Sequence, residues 1–77
     1  MDRKLKKVGA FLQYVRIQKG IKQEEIARQL DVTTSYVSKI ENGKTNLYLM
    51  TFIKYCMILH ISYVELLKDI DIFKDLM

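Results

Sequence analysis

The chain has 77 residues, a length that holds one hydrophobic core, since chains divide into separate domains only beyond about 250 residues. A composition of 49% hydrophobic and 29% charged residues excludes intrinsic disorder, and the absence of proline with only three glycines leaves too few tight turns for a many-stranded sandwich or barrel. The net charge of +4 is unevenly spread: residues 1–44 carry ten Lys or Arg against five acids (+5), and residues 45–77 carry three lysines against four acids (−1).

A basic first half suits a polyanionic partner, either nucleic acid or an anionic membrane surface; the plain alternative is a solvated lysine face. The lone Cys56 has no partner for an internal disulfide, and the lone His60 cannot complete a four-ligand zinc site. A reduced, metal-free, cytoplasmic protein without a cofactor is expected. The charged N-terminus lacks the apolar run of a secretory signal, and the apolar stretch of 15 residues from Leu47 to Ile61 is too short to span a hydrocarbon layer of about 30 Å.

In chain order, Leu5, Val8, Leu12 and Val15 recur every three or four residues and form one stripe of a first helix, which Gly20 closes. Gln23-Glu24-Glu25 opens a second helix with acids beside unpaired amides, and Ile26, Ala27 and Leu30 form its inner face. Thr33 caps a short third helix that points Val37 and Ile40 inward and ends at Asn42-Gly43. Asn46 is the expected cap of a fourth helix running to about His60, with Leu49, Phe52, Ile53, Cys56 and Leu59 as its core stripe. Ser62-Tyr63-Val64-Glu65 has the spacing of a capping box, which predicts a fifth helix over residues 62–70.

Two short helices joined by Leu30-Asp31-Val32-Thr33 have the spacing of a helix-turn-helix. Gln23-Glu24-Glu25-Ile26-Ala27, Val32-Thr33 and Val37-Ser38-Lys39-Ile40-Glu41-Asn42-Gly43-Lys44-Thr45 resemble the Cro and phage-repressor type of DNA-binding domain, over roughly residues 7–67. The resemblance implies an all-α, compact five-helix domain filling residues 1–77, with double-stranded DNA as its partner. Two departures stand out. Lys22 occupies the position where relatives cap helix two with Ser or Thr, and Leu47 replaces a common proline, so that Asn46-Leu47 is similar to the controller proteins of restriction-modification systems.

If Thr33 is the cap, then Thr34, Ser35, Tyr36 and Lys39 project from the outer N-terminal face of helix three. Hydroxyls that donate or accept, an ammonium for guanine O6 and N7, and a ring or methyl for the thymine methyl are the groups that read base edges. The alternative is that the hydroxyl residues merely stabilise a helix start. By the resemblance, Gln23 and the Asn42-Gly43-Lys44 turn grip phosphates on either side, and Arg16 and Glu41 form a partly buried structural ion pair.

Helix four is apolar nearly all round, with Tyr48, Met50, Tyr55, Met57 and Ile58 outside its stripe, and Ile70, Phe73 and Met77 follow at helical spacing. This surplus predicts a homodimer, with Tyr55, Ile58, Ile70 and Phe73 at the interface, reading a palindromic or near-palindromic operator. A tail folded over helix four within one chain is the alternative.

Catalysis is not expected. Cys56 lacks an activating neighbour, Glu24 and Glu25 diverge by about 100° on a helix, His60 suits a helix C-terminus, and no glycine loop cradles phosphate. No small-molecule ligand is predicted. The reading is a sequence-specific transcriptional regulator; the competing class is an antitoxin or other interaction module whose helices four and five cover a protein partner.

Overall fold

The computed structural model describes residues 3–64. Four helices pack around one core: α1 (Arg3–Gln18), α2 (Gln23–Leu30), α3 (Thr34–Glu41) and α4 (Leu49–Ile58). No strand occurs among the described residues. The α1 stripe buries Leu5, Val8 and Leu12, and Val15 packs half-buried at its end. Gly20 adopts φ +69° and closes the helix, its amide donating to the Ile17 carbonyl at 3.0 Å.

At the start of α2, Lys22 is extended and supplies no side-chain cap, as its ammonium has no acceptor to offer. At its end Asp31 turns left-handed at φ 59°, which lets the Val32 amide donate back to the Ala27 carbonyl at 3.0 Å. This single residue sets the bend between α2 and α3. A Cβ is disfavoured in that region, and an acid opposes the negative end of the α2 dipole. Asp31→Gly should therefore raise stability by about 1 kcal/mol, a gain that urea denaturation would read directly.

The Thr33 hydroxyl accepts from the Tyr36 amide at 3.0 Å, fixing the first turn of α3. From there Val37 and Ile40 point into the core at 0% and 2% exposure. α3 packs against both α1 and α2, and α4 packs against α2.

α4 differs from the sequence expectation at both ends. It begins at Leu49 behind an extended Tyr48 rather than at an Asn46 cap, because Leu47 leaves the helix line and is buried in the core. The buried stripe is Phe52, Tyr55, Cys56 and Leu59, while Leu49 is 39% exposed. Leu47 fills the space near the helix start, and Tyr55 rather than Leu49 turns inward. The chain leaves α4 through His60 at φ 57°, the Ile61 amide donating to the Cys56 carbonyl at 3.1 Å.

The expected count of five helices is thus four among the described residues. Tyr63 and Val64 are helical, but Glu65 and most of the span 62–70 lie outside the described residues, as do Ile70, Phe73 and Met77.

Candidate nucleic-acid interface

α3 presents two faces because its inner positions are apolar and its first turn is hydroxyl-rich. Thr34, Ser35 and Lys39 are exposed, opposite the buried Val37 and Ile40. Tyr36 is half-buried and packs against the core, so one part of its ring is committed to the fold and the other is open. The neighbouring Thr33 hydroxyl is spent on its cap. The free groups on this face are therefore two hydroxyls, one ammonium and the outer edge of one phenol.

The residues expected to grip phosphate are arranged differently from one another. The amides of Asn42, Gly43 and Lys44 donate to the carbonyls of Ser38 (3.0 Å), Ile40 (3.1 Å) and Lys39 (2.8 Å). This turn closes α3, and its backbone donors are used inside the chain. The expectation that Gly43 offers an amide to phosphate is corrected: Gly43 is buried at φ +67°, where its missing side chain lets α1 approach. Asn42 directs Nδ2 to its own helix, at 2.9 Å from the Ser38 carbonyl. Lys44 is exposed. Gln23 is half-buried, and its Nε2 donates to Glu41 Oε1 at 3.0 Å, which leaves one N–H and the amide oxygen for an outside partner.

Behind this face lies a buried polar network centred on Glu41, which is 2% exposed. Arg16 Nε donates to Glu41 Oε2 at 2.7 Å, Arg16 Nη2 to Oε1 at 3.1 Å, and Arg16 Nη1 to the Ile21 carbonyl at 2.8 Å. The Tyr55 hydroxyl donates to Oε2. One carboxylate at the end of α3 thus collects donors from α1, α2 and α4. Every buried side-chain polar atom among the described residues has a partner, the condition under which a buried charge is tolerated.

Burial alone would raise the Glu41 carboxyl, but hydrogen bonds from Arg16, Tyr55 and Gln23, with the Arg16 charge, hold it below the ordinary 4.5. The Glu41 hydrogen bond raises the Arg16 guanidinium, and burial, followed by Glu41, pushes the Tyr55 phenol up. A depressed folded value means that ionised Glu41 stabilises the fold fully above the unfolded value near 4.5, and that this contribution is lost as pH falls through the lower folded value. Stability should therefore drop on acidification below about pH 4.5, whereas Glu41→Gln should start less stable at neutral pH and decline less steeply over that interval. Denaturation midpoints from pH 7 to acid would check both slopes.

The helix-turn-helix family profile matches residues 12–66. The chain belongs to the phage-repressor type of helix-turn-helix DNA-binding regulators. Among relatives, it is 39% identical to control protein C.MunI of a Mycoplasma species over 64 residues, covering 82% of this chain and 86% of that one. The restriction-modification controller protein C.AhdI from Aeromonas hydrophila has a similar structure, with TM-score 0.74 and 35% identity over 80% of this chain and 94% of that one. So does the controller protein C.Esp1396I, solved as a tetramer with its natural 35 base-pair operator, with TM-score 0.73 and 26% identity over 99% and 92%.

The Arg16–Glu41 pair expected for this helix-turn-helix type is present, and Tyr55 joins it. Tyr55 was expected at a dimer interface; it is 0% exposed, so that placement is corrected. Nothing in the apolar run around position 55 marks the hydroxyl as a partner for a carboxylate 14 residues earlier. Of the other interface candidates, Ile58 is half-buried, and Ile70 and Phe73 lie outside the described residues. Tyr48, Met50, Met57 and Val64 are between 50% and 67% exposed, as are Tyr14 and Ile17 on α1. Cys56 is fully buried, and burial pushes its thiol up to about 12, which makes it inert packing. No helix among the described residues is long and apolar enough to cross a membrane.

Proposed function

We propose that this helix-turn-helix regulator is a controller-type protein that binds a palindromic or near-palindromic operator as a homodimer. The observation that carries the reading is the open outer face of α3: Thr34, Ser35 and Lys39 are exposed beside the half-open Tyr36, while Val37 and Ile40 anchor the opposite side. In this reading those four side chains meet base edges in the major groove, and Lys44, Asn42 and Gln23 meet phosphates through their side chains.

The dimer reading rests on exposed apolar groups before, along and after α4, namely Tyr48, Met50, Met57 and Val64, beyond what scattered surface hydrophobes require. Residues 1–77 then act as one domain, with Ile58, Ile70 and Phe73 as the remaining interface candidates. Twofold pairing sets two recognition helices about 34 Å apart, one turn of duplex. A cytoplasmic location and no catalytic activity accompany this role. A module covering a toxin would instead self-associate weakly, which sedimentation at micromolar concentration separates from a stable dimer.

Footprinting on DNA flanking the protein's own gene tests the reading; two symmetric protected half-sites are expected, and uniform weak protection would refute it. Lys39→Ala should reduce discrimination at particular base pairs by about 1–3 kcal/mol while leaving the melting temperature unchanged.

A further inference from the structure

The family match begins at residue 12, so the first two turns of α1, with Arg3, Lys4, Lys6 and Lys7, lie outside it. Two glycines bring this segment against the recognition helix. A Cβ on Gly9 would stand 2.2 Å from the Ile40 carbonyl oxygen, and a Cβ on Gly43 would stand 2.6 Å from Lys6 Cα and 2.7 Å from Lys6 Cγ. Lys6 therefore rests directly on the turn after α3, against Gly43, which precedes Lys44. The Lys44 amide donates to the Lys39 carbonyl at 2.8 Å, which holds the turn bearing Lys44 against the last turn of α3.

Both lysines are exposed, and neither joins the ion pairs of the described residues. Glu41, the nearest acid in sequence to Lys44, is occupied by Arg16, Gln23 and Tyr55. Two like charges near one another repel. An anion shared between them reverses the sign.

We propose that Lys6, acting with Lys44, binds a backbone phosphate of duplex DNA next to the bases read by α3. The proposal rests on the regulator reading and extends its DNA contact to a segment of α1. A competing structural role is open to the same side chain, since a cation near the end of α3 also favours the helix dipole. The two roles differ in their salt dependence, because a lost phosphate contact changes the number of counterions released on binding and a lost dipole contact does not.

The test titrates full-length wild type, Lys6→Gln and Lys6→Arg against a labelled duplex from the region upstream of the protein's own gene, across a range of salt, with thermal melts alongside. Lys6→Gln should flatten the slope of log affinity on log salt by about 0.9 for each bound protomer. Across the decade from about 0.1 to 1 M salt, that corresponds to roughly an eightfold loss per protomer at the lower concentration. Lys6→Arg should restore the slope. A steep wild-type slope that Lys6→Gln leaves unchanged overturns the proposal alone, and a lower melting temperature with an unchanged slope does so by assigning Lys6 to the dipole. A wild type that fails to bind the duplex at all overturns the regulator reading and this proposal with it.

Discussion

Arg16→Ala should lower the unfolding free energy by about 3 kcal/mol and the melting temperature by roughly 15 °C. The guanidinium is held by three hydrogen bonds, two to Glu41 and one to the Ile21 carbonyl, and its removal leaves a carboxylate that is 2% exposed with only Gln23 and Tyr55 as donors. An ionised group in that position either remains charged at high cost or takes up a proton, and both routes weaken the native state. Tyr55→Phe should cost about 2 kcal/mol, the range for a hydrogen bond to a charged group. Because both changes act on Glu41, the double variant should depart from additivity. Urea denaturation of the four proteins measures the coupling, and an Arg16→Ala protein within about 0.5 kcal/mol of wild type would contradict the account. The same variant should lose DNA binding by unfolding, so a binding assay without a melt would misassign Arg16 to the interface.

Gly9→Ala should destabilise the domain by about 2–3 kcal/mol, although alanine is the better helix former by about 1 kcal/mol. Gly9 lies inside α1, buried against the end of α3, where an added Cβ meets the Ile40 carbonyl oxygen at 2.2 Å and the Glu41 carbonyl oxygen at 2.7 Å. Both obstacles are backbone, so the helices must separate. That separation would stretch the Arg16–Glu41 contacts as well. Gly20→Ala is the control: its Cβ meets nothing within 4 Å, and only the strain of φ +69°, about 1 kcal/mol, should register. If Gly9→Ala proved neutral or stabilising, α1 could not lie as close to α3 as described.

Periodicity was sufficient for the first three helices because each buries one narrow stripe between a clear start and a clear stop. Gly20, Thr33 and Asn42-Gly43 act through backbone chemistry that is local, and local chemistry is visible in sequence. In α4 the same reasoning failed at Leu49 and Tyr55. Apolar residues occupy nearly its whole circumference, so no pattern fixes its rotation; what fixes it is the distant Glu41, which gives the Tyr55 hydroxyl a buried partner. Gly9 is silent in the sequence for a related reason, since its importance lies in the helix it touches. On the outer face of α3, exposure of Thr34, Ser35 and Lys39 follows from the cap at Thr33, whereas the internal use of the 42–44 amides depends on how the chain turns after α3.

The side chains at 34, 35 and 39 stand clear of the core, while the short helix that bears them is tied in place from behind by a single carboxylate. In the proposed DNA-reading role, scaffold and message are consequently carried by different residues of the same two turns. Under that reading, target preference can drift by substitution on the outer side at little cost to foldability, a route to new genomic addresses that bypasses the stability threshold.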